Sequence, residues 1–258
     1  MMRGIWSRET VAAILLIASL PLALAWLWTE GAGAALRLIA VLIAAGIWHG
    51  VFMLLRAQPP SLAGALTALA IAMLAPPGLG PVALILSISF GVVFGELVMG
   101  GWGRNILNPA TITLAFAGFG FPAAGWPELA VQTGWAAMAM LVIGCLFGVM
   151  HWRVPAFALA ALAGAYLAGI PVGPAMTAIL VVLALLVADP VTSGTTGLGR
   201  ALTGASYGAL AALFTAMWAD AAPVQLAVSA ALLASLAAPL YDDAALALWQ
   251  YRRRKSLG

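Results

Sequence analysis

Apolar residues run through this chain in long unbroken stretches instead of alternating with polar ones. Val11 to Trp28 and Leu38 to Leu55 are apolar on every helical face. A helix that is hydrophobic all round belongs in a core or a bilayer, whereas a transmembrane barrel would alternate polar and apolar positions in segments of about ten. Turn signals divide the apolar pattern at 10–28, 36–55, 61–76, 81–99, 108–121, 134–150, 155–170, 174–188, 200–218 and 224–241. The pattern therefore predicts an all-α, polytopic membrane protein of about ten helices, forming a single membrane domain over 1–258. The segments 61–76, 108–121 and 174–188 are short for a span of about 20 residues. Ten spans of that length use roughly 200 positions and leave about 58, too few for a separate soluble domain.

Composition agrees. Of 258 residues, 64% are apolar and 7% charged, against roughly 45–50% and 25% in a soluble chain. The net charge of +3 does not point to nucleic acid, because four of the eleven basic residues form one run, Arg252 to Lys255. That run reads as a flank facing anionic lipid. Orientation follows from the bias of basic residues toward the cytoplasm. With the N-terminus inside, Arg3, Arg8, Arg56, Arg104, Arg153, Arg200 and the tail fall on the cytoplasmic side and only Arg37 outside. The outer connections hold Glu30, Glu128 and Asp220, with Trp26, Trp28, Trp126, Trp135 and Trp218 near that boundary as interfacial anchors. Both termini are expected to be cytoplasmic. The first apolar run is long and lacks a small-x-small cleavage site, so it reads as a retained helix and not a signal peptide.

Several chemistries are excluded within this chain. The single cysteine, Cys145, cannot make an intrachain disulfide, a zinc site or an iron–sulfur cluster. His49 and His151 lie far apart in sequence and would form a haem pair only if tertiary packing joined them. His49 reads as a hydrogen-bonding partner for a neighbouring helix.

The chain carries a faint internal echo. Gly80-Pro81 and Gly173-Pro174 are 93 residues apart, and Gly101-Trp102-Gly103-Arg104 and Gly197-Leu198-Gly199-Arg200 are 96 apart. Near them lie Asn108-Pro109-Ala110-Thr111 and Asp189-Pro190-Val191-Thr192. Two halves of five spans, about 10–121 and 134–241, would run oppositely through the membrane as an inverted repeat.

Irregular polar backbone at membrane depth is tolerated only where protein covers it or a cavity wets it. The stretches 100–113 and 189–200 are therefore the expected ligand-binding loops. In the first, Gly101 and Gly103 allow close approach, Arg104 and Asn105 offer donors, Asn108 caps a helix before Pro109, and Thr111 adds a hydroxyl. In the second, Thr192, Ser193, Thr195 and Thr196 supply four hydroxyls between Asp189 and Arg200. These suit the polar edge of an isoalloxazine, a ribityl chain or a small solute, or they cap broken helices. Asp189 pairs either with Arg200 or with Arg104; the sequence leaves both open. Glu96 is embedded in an apolar span, where a carboxylate is expensive and faces a partner or water. It reads either as an ion or proton relay or as a residue reaching Arg104 or the interface.

The run Gly100-Gly101-Trp102-Gly103-Arg104-Asn105-Ile106-Leu107-Asn108-Pro109-Ala110, the later run from Asp189 to Arg200, and the ending Ala238-Pro239-Leu240-Tyr241-Asp242 resemble the RnfD/NqrB family, membrane proteins of the Rnf complex and of the sodium-pumping NADH:quinone reductase. The resemblance implies ten helices in a urea-channel-like fold, a place in the bacterial inner membrane among other membrane and extracytoplasmic redox subunits, and electron relay through flavin. It also implies a covalent FMN on an outer loop between the fifth and sixth spans. Here that loop, Pro122 to Thr133, carries no matching motif, so a noncovalent riboflavin or FMN is expected instead. Thr203-Gly204-Ala205-Ser206 is the nearest string, but Arg200 stands where the motif needs Asp and the string falls on a predicted helix. The leading expectation is a non-catalytic electron-transfer subunit, possible ion coupling included. The alternative is a channel or carrier for a small solute or cation on the same fold, and a third reading is a scaffold without cofactor.

Overall fold

The computed structural model describes residues 7–57, 61–218 and 220–257; Arg3, counted above on the inner side, lies outside them. Among the described residues there are ten α-helices and no strand. In order they are α1 (Arg8–Glu30), α2 (Ala32–Arg56), α3 (Ala63–Leu74), α4 (Pro81–Val92), α5 (Pro109–Gly120), α6 (Val131–Leu146), α7 (Arg153–Leu167), α8 (Met176–Val182), α9 (Gly197–Met217) and α10 (Pro223–Leu257). Three of them, α1, α2 and α10, are long and apolar enough to cross a membrane. The expected ten segments are thus ten helices, several of which stop short because Pro and Gly punctuate them.

Helix starts follow the local chemistry. Ser7 caps α1 by accepting from Thr10 N at 3.2 Å, and Asn108 caps α5 by accepting from Ala110 N at 2.9 Å, with Pro109 at the first helical position. Thr196 caps α9 through Gly199 N at 2.9 Å. Gly31, at φ +72°, lets α2 begin directly after α1.

The interior is built around α3 and α8. Thr67–Leu74 of α3 is buried throughout, as is Val181–Asp189 at the end of α8. Helix α2 lies at the other extreme, burying only Ala34, Val41 and Ala45. Its remaining apolar face suits lipid or a neighbouring protein. Close helix pairs use small residues at four-residue spacing, as membrane helices do. Gly91 of α4 and Gly95, in the turn just past its end, lie against Pro109, Ile112 and Thr113 of α5, and Gly204 and Gly208 of α9 lie against the carbonyls of Val154 and Ala158 in α7. A Cβ at any of the four would meet the neighbouring helix.

The contacts also follow a pattern between halves. Helix α3 touches α1 and α5, as α8 touches α6 and α10; α4 packs on α2 and α5, as α9 packs on α7 and α10.

Two helices end in π-helical turns, α4 through Val93–Leu97 and α8 through Leu183–Val187. Such turns mark places where a helix is bent out of register. Each leads into one of the two irregular loops. The echo seen in sequence does not place its glycines alike, however. Gly101–Arg104 lies in the loop after α4, whereas Gly197–Arg200 is the first turn of α9. The second loop therefore ends at Thr196, because Thr196 and the small residues after it satisfy a helix start.

Past residue 241, where the apolar run ends, α10 continues to Leu257. The residues Ala244–Tyr251 are mostly good helix formers, so the helix outlasts the hydrophobic pattern that sequence segmentation follows.

Candidate functional site

The first loop is shaped by positive backbone angles at Gly100 (φ +104°), Gly101 (φ +87°) and Gly103 (φ +95°), which L side chains avoid. Gly101 N donates to Glu96 O at 3.0 Å. The Asn105 side chain closes the turn, accepting from Gly103 N and donating to Leu107 O, each at 3.1 Å. Asn105 therefore holds its own loop. Arg104 N donates to Gly101 O at 3.1 Å, while its exposed side chain has no hydrogen bond or ion pair among the described residues.

Glu96 sits in the π-helical turn at 1% exposure. It reaches neither Arg104 nor the interface. Its Oε1 lies 3.3 Å from His49 Nε2 on α2, and its Oε2 has no partner. His49 Nδ1 donates to Ala45 O at 2.9 Å, since a carbonyl can only accept. One proton is thus shared across the Nε2–Oε1 contact, as imidazolium with carboxylate or imidazole with carboxylic acid. This agrees with His49 as a partner for a neighbouring helix. Thr111 is fully buried with Oγ1 unpartnered.

The two loops meet through one hydrogen bond. Asn108 Nδ2 donates to Asp189 Oδ2 at 3.1 Å, joining residues 81 apart. Asp189 also accepts from Thr192 Oγ1 at 3.2 Å and Val191 N at 3.1 Å. Neither pairing considered from the sequence forms. Arg200 instead donates from Nε to Gly194 O at 3.0 Å. The reason is position: Asp189 is 6% exposed inside the joint of the loops, where the neutral donors Asn108 and Thr192 reach it, while Arg104 points to the surface.

The hydroxyl cluster is also divided. Thr192 serves Asp189. Thr195 and Thr196 are held by Asp242 on α10, whose carboxylate accepts four hydrogen bonds: Thr195 N at 2.7 Å, Thr195 Oγ1 at 2.8 Å, Thr196 N at 2.8 Å and Thr196 Oγ1 at 2.6 Å. These two threonines thus tie the start of α9 to α10. In the sequence Asp242 stands only within the family-like run 238–242, with no role assigned to it. Its signal was an acid just beyond the last apolar run.

At the second loop, Ser193 Oγ and the Nη groups of Arg200 have no hydrogen-bond partner among the described residues. They line a pocket of about 350 Å³ with His151, Pro190, Val11 and Val149. Its volume falls within the roughly 300–1,000 Å³ of ligand sites. Burial, then the charges of Arg200 and Arg153, hold the His151 pKa below its ordinary value. Near the α1–α2 turn a second pocket, of about 380 Å³, is lined by Trp26, Glu30, Arg37, Pro127 and Glu128. There Arg37 Nη2 donates to the carbonyls of Ala75 and Pro76, just past the end of α3. A third space, about 340 Å³, borders His49, Gly46, Gly50 and Gly64. Among the described residues no group of three or more His, Cys, Asp or Glu side chains is placed to hold a metal ion. The nearest string to a covalent flavin motif, Thr203–Ser206, lies on α9 as expected, with Thr203 Oγ1 donating to Gly199 O at 2.9 Å.

Residues 3–144 match the model of the NQR2, RnfD, RnfE family. That interval contains His49, Glu96 and the whole first loop; the second loop lies beyond it. The NqrB protein of the Na(+)-translocating NADH-quinone reductase from Stutzerimonas stutzeri (strain A1501) is 33% identical over 123 residues, 46% of this chain and 30% of that protein. The NqrB proteins of Klebsiella pneumoniae (strain ATCC 700721 / MGH 78578) and Yersinia pestis are each 39% identical, over 85 and 83 residues, covering 33% and 32% of this chain and 21% and 20% of theirs. The matched stretches thus span less than a third of these relatives.

Proposed function

Because this chain belongs to the NQR2, RnfD, RnfE family, we propose that it is a membrane subunit of an Rnf- or Nqr-like electron-transport complex, relaying electrons through a noncovalently held flavin. The observation that carries this is the family match across the first loop, together with a ligand-sized pocket beside the second. The proposal includes ten spans in an inverted repeat of five plus five, supported by the matching contacts of α3 with α8 and of α4 with α9. It places both termini and the Ser193–Arg200 pocket on the cytoplasmic side, supported by the distribution of basic residues.

The pocket fits a flavin edge. Ser193 offers a hydroxyl, Arg200 offers N–H donors and positive charge, His151 offers a ring N–H, and Val11, Val149 and Pro190 form an apolar wall. A bound flavin supplies the one-electron redox chemistry. The chain's own residues position it and exclude water. Arg200 biases the site toward added negative charge, which favours electron uptake. Gly194 O fixes the Arg200 side chain, and the Asn108–Asp189 bond fixes the loop that carries Ser193. The His49–Glu96 pair is proposed as the group that holds and exchanges a proton or cation in step with electron transfer, supported by its burial and by the unpartnered Oε2. The remaining subunits supply donor and acceptor.

A carrier reading has one observation in its favour, the pair of pockets beyond the ends of α3 and α8. Against an open cation path stands the Arg37 guanidinium on the carbonyls at the end of α3. Reconstitution in liposomes separates the readings. Flavin absorbance without solute uptake supports the relay; uptake without flavin or a redox partner supports the carrier.

A further inference from the structure

The end of the bundle carrying the α6–α7 connection gathers more positive charge than the relay reading uses. Arg200 commits Nε to Gly194 O, and its two Nη groups have no hydrogen-bond partner among the described residues. His151 lies on the same pocket wall. Arg153, the first residue of α7, lays its guanidinium over Gly197, where a Cβ would strike it. Burial, then the charges of Arg200 and Arg153, oppose the protonation of His151.

No carboxylate lines the cavity to offset these groups. Asp189 is turned into the loop joint, with both oxygens hydrogen-bonded. Asp242 is bound by Thr195 and Thr196, and on α1 Arg8 and Glu9 lie 3.5 Å apart as a pair. Ser193 Oγ has no hydrogen bond among the described residues. A ligand-sized cavity with a guanidinium edge, a hydroxyl and an imidazole, and with no facing acid, is a receptor for a compact anion.

We propose that Arg200, His151 and Ser193, backed by Arg153, form a binding site for a phosphate monoester. Two carriers share that chemistry: a phosphorylated flavin, and the headgroup of a lipid such as phosphatidic acid. The Nη groups of Arg200 donate to the phosphoryl oxygens, and Ser193 Oγ donates a further bond. The ligand's negative charge offsets the two arginines, so His151 takes up a proton at Nδ1, which otherwise accepts from Arg153 N at 3.4 Å. The site rests on the flavin reading only for the first carrier.

The test uses the full purified chain in detergent with isotope-labelled histidine. The chain has two histidines, and the His151→Gln variant assigns the signals. Inorganic phosphate is expected to shift the His151 signal toward imidazolium, with the shift lost in Arg200→Gln and partly kept in Arg200→Lys. Size-exclusion profiles verify that both variants fold. If flavin is the carrier, FMN binds about tenfold or more tighter than riboflavin, the effect expected of one charged hydrogen bond. If lipid is the carrier, nanodiscs with phosphatidic acid, and not phosphatidylcholine alone, give the same shift. The proposal is overturned if phosphate, FMN and phosphatidic acid all leave the His151 signal unmoved, or if Arg200→Gln responds as wild type does. Equal binding of riboflavin and FMN with no phosphate response overturns this site and leaves the flavin reading standing. A phosphate response without any flavin binding does the reverse.

Discussion

The Asp242 carboxylate ties α10 to the start of α9, and its removal gives a quantitative test of why the second loop holds its shape. In Asp242→Ala, the N–H and hydroxyl groups of Thr195 and Thr196 lose their acceptor together. Loss of a side chain satisfying helix-start N–H groups costs about 0.5–2 kcal/mol, and loss of an anion at the positive end of a helix adds about 0.3–1 kcal/mol. The carboxylate is partly exposed, so water replaces some of these bonds and screens the charge. A net loss of about 2 kcal/mol is expected from these two contributions. Asp242→Asn, which keeps one acceptor oxygen and loses the charge, is expected to lose about half as much. The assay is amide hydrogen exchange across 194–200 in detergent, with apparent Tm alongside. Exchange at Thr195 and Thr196 should speed up by about 30-fold in the alanine variant, while α3 and α8 remain protected. Unchanged exchange at these two amides would refute the reasoning, because it would mean the loop is held by Asp189 and Thr192 alone.

The remaining predictions concern other joints. Gly204→Leu drives a side chain into the Val154 carbonyl and is expected to abolish the monodisperse size-exclusion peak, whereas Gly125→Ala, in open space, leaves it unchanged. Asp189→Ala strands the buried Asn108 Nδ2 and Thr192 Oγ1, with an expected cost of about 1–3 kcal/mol measured as a lowered apparent Tm. His49→Ala leaves Glu96 buried without its partner and is expected to destabilise more than His49→Ala combined with Glu96→Leu. A double-mutant cycle on apparent Tm reads that coupling. His151 has a folded pKa below its unfolded value of 6.5, so the unfolded chain binds more protons. Its contribution to stability is present above pH 6.5 and declines as pH falls below that, and a Tm–pH profile of His151→Gln should be flatter there.

Much of the frame was legible because it depends on local pattern. The apolar runs located all ten helices, and Asn108-Pro109 marked the start of α5 in both sequence and structure. The end of α10 was misplaced because helix propensity outlasted hydrophobicity beyond Tyr241. The site was less legible for a different reason. Residue types identified polar groups that needed partners, but partner choice is set by tertiary packing. Asp189 found Asn108 across 81 residues instead of either arginine, and Thr195 and Thr196 were taken by Asp242 from another helix. Glu96 was identified as anomalous by burial cost alone, yet its partner His49 lies 47 residues away on α2. Residue types thus single out the groups that need partners, while the fold decides which of them find one within the chain.

Acid precipitation of the purified chain reveals whether it holds a flavin, and whether covalently. Protein extracted in mild detergent is precipitated, and flavin is measured in supernatant and pellet by fluorescence and chromatography. Flavin is expected in the supernatant at near-stoichiometric amount for wild type, with a marked loss for Arg200→Gln that still elutes as a folded peak. Protein free of flavin in both fractions, or flavin remaining with the pellet, would contradict the noncovalent flavin relay.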